Sequence, residues 1–558
     1  MVVLAVAGAT LAACASDNGA ATPASSAPVA ASSAATTVAA TAPATAESAA
    51  TEPASTERDT TESTTTESTT TDSVPADSGP IDTSATVAER PLAAGATRMH
   101  FEIGPIAIEP GQNNIAYSRK DIPKPVVDGY IVGIAPNLRL ADGTIPGVDV
   151  IHLHHGVWLN ASAPDATAPG LPERFFAAGE EKTTMVLPAG YGYAYHATDN
   201  WVVNYMIHNL YPIGQQVWIT YDIDFIPGTD PAAAAMQRAR PIWTDVQNGS
   251  VYPVFDVIKG SGSNGLYTFP TDATSPYGTG PTLNAWTVDR DGVLLATAGH
   301  LHPGGMHTDL WLQRNGDSAH LFQSVAHYWE PAGAVSWDVA MTATPDAWRV
   351  AVHAGDTLST SATYDSARAS WYESMGIMVV WMADAPAAGE AAAPDPFATP
   401  VDVPGQLTHG HLAENDNHGG AADSSYVNAL QQPSEPADAV IPIEGYVYAQ
   451  GDMLAGKAVP TVAPGGTITF DNIDAPLNNG VWHTITACAA PCNASTGVAY
   501  PLADAAIPFD SGQLGVAGPP TAGRVTWTTP ADLPEGTYTY FCRIHPAMRG
   551  AFRIEARH

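Results

Sequence analysis

Four residues near the C-terminus have the types and the spacing of a mononuclear copper site. Cys542, His545 and Met548 follow one another at intervals of three residues, and His483 lies about 60 residues upstream. One thiolate, two imidazoles and a weak thioether are the ligand set of blue (type 1) copper, which cycles between Cu(I) and Cu(II). Because a tight loop can supply three ligands and a neighbouring strand the fourth, the pattern predicts a type 1 copper site.

The cysteine count supports a metal-binding role for Cys542. The chain has four cysteines. Cys14 ends an apolar leader, and Cys488 and Cys492 are near enough in sequence to form a disulfide that closes a loop. Cys542 is left over. An unpaired thiol in a secreted protein favours a metal ligand over the alternatives, a small buried hydrophobic residue or half of a disulfide.

This ligand pattern resembles that of the cupredoxin family, such as plastocyanin and pseudoazurin, over roughly the last hundred residues. The resemblance implies a Greek-key β-sandwich over residues 437–558 that acts as a one-electron carrier. A binuclear copper centre would require a second cysteine in the loop, and a multicopper oxidase would require a His-Cys-His motif. The sequence has neither.

A second group of histidines lies in the middle of the chain. His152, His154 and His155 are almost consecutive, and His208 lies on a later predicted strand. Three neutral imidazoles can hold one copper ion. Adjacent residues of a regular strand point to opposite faces, so His154 and His155 share an ion only at a bulge or strand end. Otherwise His152 and His154 form the pair on one face.

A third group combines two histidines with a methionine. His300 and His302 are two residues apart, which places both on one face of a strand as a two-ligand chelate. Met375 begins the predicted strand SMGIMVVWM and could add a thioether, a soft ligand that favours Cu(I). The alternative for this methionine is core packing, since Met378 and Met382 follow it in the same apolar strand.

In this order, the segments resemble the copper type II, ascorbate-dependent monooxygenases, peptidylglycine alpha-hydroxylating monooxygenase and dopamine beta-monooxygenase. The residues that match the family's ligands are His154, His155, His208, His300, His302 and Met375. The resemblance spans about 99–385 and includes DGYIVGIAPNL, the strand before the paired histidines. It implies two jelly-roll halves that face each other across a solvent cleft, with one mononuclear copper in each.

The same resemblance assigns a role to each copper. His300, His302 and Met375 would hold the catalytic copper that activates dioxygen, and the copper of the first half would supply an electron. The animal enzymes carry disulfides in both halves, whereas no cysteine occurs here between Cys14 and Cys488. Residues that contact substrate in the family have no clear match, so the identity of the substrate does not transfer.

Strand-like patterns dominate the chain and predict an all-β protein. Apolar runs such as QVWITYDIDFI and HTDLWLQ alternate or are fully apolar, and Gly, Pro, Asn and Asp separate them. The predicted segments are a lipoprotein signal peptide (1–14), a disordered Ala/Ser/Thr/Glu/Pro-rich tether (15–94), a first jelly-roll half (95–228), a connecting segment (229–281), a second half (282–385), a linker (386–436) and the cupredoxin (437–558).

The N-terminus predicts attachment to a membrane through lipid. A short apolar run ends at Cys14 in the sequence LAAC, which resembles a bacterial lipobox whose cysteine is acylated; the alternative is a chance Ala-rich leader. The formal charge of −34, from 56 acidic and 22 basic residues, makes nucleic acid an implausible partner. We therefore expect an extracytoplasmic protein, anchored at the cell membrane by lipid only.

The linker contains a further histidine cluster, His409, His411 and His418, which could bind metal or form a polar docking loop. The sequence as a whole favours a surface-anchored copper oxidoreductase with a type 1 copper and two further mononuclear coppers. It would hydroxylate a small organic substrate with dioxygen and receive electrons from an external donor through the cupredoxin. The alternative is a copper-binding electron-transfer lipoprotein without catalysis.

Overall fold

The computed structural model describes residues 82–86, 92–113, 115–118, 122–246, 253–273, 284–329, 334, 337–412, 425–477, 481–492, 508–518 and 521–556. All of them belong to one unit, Ser73–His558. Cys14, His418 and most of the predicted tether lie outside the described residues. No helix in the described part of the chain is long and apolar enough to cross a membrane.

The first half is a sandwich of two antiparallel sheets. β1 (Asp82–Thr86) pairs with a strand of the second half, so this part of the predicted disordered tether, 15–94, is ordered as a strand. The strands of the first half are β2 (Thr97–Ile108), β3 (Ile115–Ser118), β4 (Gly129–Leu140), β5 (Ile151–Pro164), β6 (Pro172–Gly179), β7 (Met185–Val186), β8 (Tyr191–Tyr195), β9 (Trp201–Asn209) and β10 (Gln215–Pro227). One sheet has the order β3-β9-β5-β6, and in the other β10 lies between β2 and β4. Along β10, every second residue is buried, namely Val217, Ile219, Tyr221, Ile223 and Phe225. This period of two is why the segment forms a strand with one face in the core.

The second half begins with a short 3-10 helix, Pro231–Ala235, and is otherwise built from strands. They are β11 (Gln237–Asp245), β12 (Phe255–Val257), β13 (Leu266–Phe269), β14 (Ala285–Thr287), β15 (Gly292–His300), β16 (Gly305–Arg314), β17 (Asp317–Tyr328), β18 (Val339–Ala343), β19 (Val350–Val352), β20 (Thr357–Asp365), β21 (Trp371–Ser374), β22 (Ile377–Ala383) and β23 (Gln406–Leu407). β22 pairs with β11 and β15, and β16 pairs with β17 and β20. β11 to β13 lie in the segment 229–281, so the predicted connection contributes strands to the second half.

The C-terminal sandwich carries the predicted cupredoxin ligands. It consists of β24 (Ser434–Pro436), β25 (Val440–Glu444), β26 (Val447–Tyr448), β27 (Val459–Val462), β28 (Thr469–Asn472), α1 (Asp474–Leu477), β29 (Thr486–Cys488), β30 (Ala517–Gly518), β31 (Thr521–Ala522), β32 (Thr526–Thr528), β33 (Gly536–Phe541) and β34 (Arg549–Ile554). Its sheets have the orders β24-β27-β34-β33-β29 and β26-β25-β28-β32. Cys488 and Cys492 are joined by a disulfide. The all-β prediction is confirmed.

The three sandwiches pack against one another. β8 and β11 form a parallel ladder between the first and second halves, and Trp381 of the second half joins the core of the first. Phe541 of the C-terminal sandwich shares an apolar cluster with Phe255 of the second half. At Gly111, in the first half, a Cβ atom would lie 1.4 Å from the Tyr446 hydroxyl, so the backbone meets the C-terminal sandwich directly.

The described part of the predicted linker is also held in place. Arg349 and Arg314 of the second half form ion pairs with Glu390 and Asp395, at 2.8 and 2.9 Å. β23 then pairs with β18 of the second half. These contacts fix part of the predicted linker against the second half, and bonds from Ala387 to Tyr191 and from His409 to Glu181 connect it to the first half.

Candidate metal centres

The predicted type 1 ligands meet in a buried triangle, formed by one sulfur atom and two nitrogen atoms. Cys542 Sγ lies 3.8 Å from His483 Nδ1 and 3.7 Å from His545 Nδ1, and the two Nδ1 atoms are 3.2 Å apart. All three side chains are fully buried. The centre of this triangle lies about 2.1 Å from each atom, which is within the usual range of metal–nitrogen and metal–sulfur bonds. The arrangement therefore fits one ion held trigonally by two imidazoles and a thiolate, the geometry of blue copper.

Neighbouring groups orient this type 1 triangle and favour the thiolate. Asp474 Oδ2 lies 3.1 Å from His483 Nε2, which directs Nδ1 of the same ring toward Cys542. The backbone N–H groups of Thr484 and His545 both donate to Cys542 Sγ at 3.4 Å. Burial alone would raise the pKa of Cys542, but the contacts with His483 and His545 lower that pKa well below its ordinary value. The thiolate is the form that binds metal.

The loop after β33 places the remaining predicted ligand. Cys542 N–H donates to Met548 O at 3.0 Å, and Met548 N–H donates to His545 O at 2.8 Å. These bonds close the loop on itself, and Met548 is buried in the core of the same sandwich. Met548 as the axial ligand stays a prediction.

A β-bulge separates the paired histidines of the first half. Across β5 and β9, His152 is opposite His208 and Leu153 is opposite Ile207, but the next aligned residue of β5 is His155. His154 is thus the extra residue, which is the condition under which adjacent histidines could face the same site. Both alternatives from the sequence remain, because His152 also approaches His208, with ring centroids 5.0 Å apart.

Burial keeps these imidazoles neutral. It lowers the pKa of His152 to about 4 and that of His155 to about 3, and the pKa values of His154 and His208 lie well below the ordinary value. The Nδ1 atom of His152 lies 2.6 Å from the Val148 carbonyl oxygen. Among the described residues, neither ring nitrogen of His208 has a hydrogen-bond partner. Neutral imidazoles with free lone pairs are the form that binds metal.

The histidines of the second half lie directly against those of the first. The rings of His154 and His302 are 4.0 Å apart, and both side chains are buried. The resemblance implied a solvent cleft between the halves, whereas here the parallel ladder of β8 with β11 and the shared core bring the two ligand groups into contact. His154, His302 and Glu180 offer metal-binding atoms within 4.8 Å of one another.

Met375 lies beside the imidazole cluster, which is formed by His152, His154, His155, His208, His300 and His302. Its side chain packs with Trp243 and Ile377 in an apolar cluster. Tyr364 connects it to the histidines, because the Tyr364 hydroxyl accepts N–H bonds from both His302 and Met375 at 3.1 Å and donates to Met375 O at 2.7 Å. The thioether as a copper ligand stays a prediction.

The type 1 ligands adjoin the imidazole cluster. The rings of His545 and His208 are 5.6 Å apart and meet edge to face, and neither side chain is exposed by more than 2%. Aromatic rings at such centroid distances are in contact. Next to them, Arg543 and Ile544 of the loop after β33 line a cavity of about 20 Å³ together with His154 and His302.

A separate cavity of about 60 Å³ reaches His300 from between the two halves. Phe176 and Ala177 line it from β6, and Val379 and Trp381 line it from β22. Threonine side chains provide most of its polar lining, and Asp346 is the one carboxylate among its described lining residues. A wider space of about 290 Å³ shares Asp346 and Met185 with it and includes Arg98, Asp222 and Asp224.

The linker histidines take structural roles where they are described. His409 Nδ1 lies 2.7 Å from Gly410 O and Nε2 lies 2.6 Å from Glu181 O, which leaves no ring nitrogen for a metal ion. His411 Nδ1 lies 3.3 Å from Asp338. Of the two alternatives for this cluster, the contacts of His409 favour docking over ligation.

Reasoning from the sequence missed three residues of the cluster. Glu180 and Glu181 contact His302 and His300, and the Trp337 ring lies 4.6 Å from the His152 ring at an angle of 33°. Two adjacent carboxylates directly after an apolar strand, as in RFFAAGEE, are a signal that could have indicated Glu180 and Glu181. Nothing in the local pattern around Trp337 would have indicated that residue.

Neither a protein-family model nor a curated protein matches the chain. Among solved structures, a Cu(I) form of an amicyanin mutant is 17% identical over 25% of this chain and 100% of its own, with a TM-score of 0.13. A copper-containing nitrite reductase from Thermus scotoductus is 16% identical over 48% of this chain and 55% of its own, with a TM-score of 0.14. Similarities with such low TM-scores do not identify the function of the chain, so the function has to be inferred from the geometry of the sites.

Proposed function

We propose that the chain is a copper oxidoreductase that hydroxylates a small organic substrate with dioxygen and takes its electrons through the C-terminal cupredoxin. One observation carries the proposal: the ring of His545, a member of the type 1 triangle, touches the ring of His208 in the buried imidazole cluster. This contact would let a one-electron carrier deliver electrons directly to a second group of copper ligands, where a reaction with dioxygen consumes them.

The chain offers ligands for copper at three places. His483, Cys542 and His545 would hold the type 1 ion, with Met548 as its axial ligand. His154, His155 and His208 would serve the first half, and His300, His302 and Met375 the second. Copper bound at these residues supplies one-electron transfer and the reduction of dioxygen. The protein supplies neutral imidazoles, excludes water, and keeps the ligand groups of both halves together.

The cavity beside His300 supports a small and largely uncharged substrate. Its volume of about 60 Å³ and its apolar walls, Phe176, Val379 and Trp381, suit a compact hydrocarbon portion. Burial of apolar surface would drive binding, and the charge at Asp346 lies where the cavity meets the wider outer space.

The proposal includes acylation at Cys14 and attachment to the outer face of a membrane, on the strength of the LAAC sequence. We expect Cys14→Ser to move the full chain from the membrane fraction to the soluble fraction. Membrane association that survives this substitution would contradict the anchor and leave the copper sites unaffected.

Oxidation by air tests the electron route. The copper-loaded full chain is reduced with ascorbate until its blue absorbance disappears, and dioxygen is then added. We expect the absorbance to return together with oxygen uptake, and His208→Ala to slow this return at least tenfold. His353→Ala is the matched control, because this exposed side chain lies outside the cluster.

The same measurement decides between the proposed enzyme and a plain electron carrier. A carrier would take up no more dioxygen than the direct reoxidation of its blue copper requires, and its blue absorbance would return equally fast in the His208→Ala variant and in the unaltered chain. That result would overturn the proposed function.

A further inference from the structure

Two adjacent carboxylates of the first half reach the histidines of the second half. Glu180 Oε1 lies 2.7 Å from His302 Nδ1, and Glu181 Oε2 lies 3.0 Å from His300 Nδ1. Both glutamates follow directly after β6, and both are buried, with exposed fractions of 2% and 0%. Each carboxylate therefore contacts one histidine of the pair.

These contacts determine which ring nitrogen is free. A neutral imidazole has a single N–H, and when its Nδ1 faces a carboxylate oxygen that accepts a hydrogen bond, the proton is on Nδ1. The lone pair is then on Nε2. The Nε2 atoms of His300 and His302 are buried and have no hydrogen-bond partner among the described residues. Both rings thus present a lone pair to the interior of the cluster.

The turn that holds the two glutamates is itself fixed. Glu181 Oε1 accepts the Gly179 N–H at 3.0 Å, and the backbone carbonyl of Glu181 faces His409 Nε2 at 2.6 Å. A segment of the predicted linker therefore supports the turn from outside. A buried carboxylate is costly unless it is well bonded, and the contacts to the histidines help to offset that cost.

We propose that Glu180 and Glu181 are positioning residues that hold His302 and His300 in the Nδ1–H tautomer, with Nε2 directed at the metal. A carboxylate behind a metal-binding histidine orients the ring and raises its basicity, and loss of such a partner commonly weakens metal binding about 10- to 100-fold. Because the carboxylates belong to the other half, metal binding in the second half then depends on the contact between the halves. This inference rests on the proposed function only in that the cluster binds copper.

The tautomers can be read directly in the Cu(I)-loaded full chain, which is diamagnetic. With ¹⁵N-labelled histidine, two-bond proton–nitrogen correlations assign the protonated nitrogen of each ring. We expect Nδ1 to be protonated in His300 and His302. Protonation at Nε2 in these two residues would overturn the proposal, whether or not the protein consumes dioxygen.

Substitutions at Glu180 test its effect on affinity. Glu180→Gln keeps an acceptor for Nδ1–H without the charge, whereas Glu180→Leu removes the acceptor. We expect the Cu(I) affinity of the non-blue sites, measured by chelator competition, to fall about 10- to 100-fold in the Leu variant and less in the Gln variant. Circular dichroism and thermal unfolding of the full chain report whether the variants are folded.

Glu173→Gln is the matched control. Glu173 is a carboxylate of the same half, but it accepts a hydrogen bond from the Tyr193 hydroxyl at 2.5 Å and does not face a histidine of the cluster. Unchanged affinity in Glu180→Leu, or an equal loss in Glu173→Gln, would contradict the role. If the Leu variant failed to fold, the tautomers of His300 and His302 in the unaltered chain would still test the positioning role. Absence of hydroxylation with the expected tautomers would contradict the proposed function alone.

Discussion

Gly179 is the position where one added methyl group would disturb the imidazole cluster most directly. A Cβ atom there would lie 2.6 Å from His300 Cε1, 2.5 Å from the His154 carbonyl oxygen and 2.8 Å from Glu181 Oε2. Ordinary contact with a Cβ begins near 3.4 Å. To restore ordinary contact, the His300 ring would have to move by about 0.8 Å from its place in the cluster, where it also contacts Glu181.

We expect Gly179→Ala to cost about 1–3 kcal/mol of stability, the usual range for overpacking a filled site. It should also lower the copper content of the non-blue sites and the oxygen uptake with ascorbate. The blue absorbance should persist, because the type 1 triangle belongs to another sandwich. Thermal unfolding, metal analysis and an oxygen electrode measure these three quantities.

Gly170→Ala is the matched control, in the turn just before β6. No atom lies within 4 Å of the Cβ position at Gly170, so this substitution should change neither copper content nor oxygen uptake. If Gly179→Ala bound copper and consumed dioxygen like the unaltered chain, the described closeness of His154, Glu181 and His300 would be refuted.

Three further outcomes are expected. Cys542→Ser should abolish the blue absorbance, whereas Met548→Leu should keep it and shift the reduction potential, as redox titration would show; a colourless but copper-loaded parent chain would contradict the type 1 assignment. Met375→Ile should reduce oxygen-dependent turnover to background with the blue absorbance intact, and full activity would remove the methionine from the site. Burial lowers the pKa of His320, but hydrogen bonds to Asp309 and a second aspartate raise it to about 9. The hydrogen bonds of protonated His320 to the two aspartates stabilise the fold fully below about pH 6.5, and this stabilisation is lost as the pH rises through 9. In urea unfolding, His320→Gln should therefore cost about 1–2 kcal/mol below about pH 6.5, after allowance for solvent screening, and little above about pH 10. A constant cost across this range would show that the imidazolium is not the source.

The type 1 triangle could be predicted from the sequence because its ligands lie close together in the chain or in one small sandwich. Cys542 and His545 come from one loop, and their spacing places both on the same ion. His483 is remote, but it arrives on a neighbouring segment of the same small sandwich. The all-β class was equally accessible, since the period of two in segments such as β10 reports which face is buried.

The contacts between the halves could not be predicted from the sequence. No pattern around His154 indicates that His302 lies 4.0 Å from it. Adjacent glutamates are mostly exposed in proteins, and only the tertiary fold buries Glu180 and Glu181. The bulge at His154 was a stated condition of the sequence interpretation, yet strand alternation alone could not decide whether it forms.

The contact between His545 and His208 determines how the rate of internal electron transfer would depend on protein concentration and on ionic strength. In the proposed scheme, the two partners of the internal electron step are parts of one folded unit and meet within it. That step would be first order, so dilution and added salt should leave it unchanged. Delivery from an external donor would remain a second-order encounter, and the −34 formal charge would make it sensitive to ionic strength. Since the His545 edge is covered by the first half, the donor would have to approach the blue site from a different face of the C-terminal sandwich.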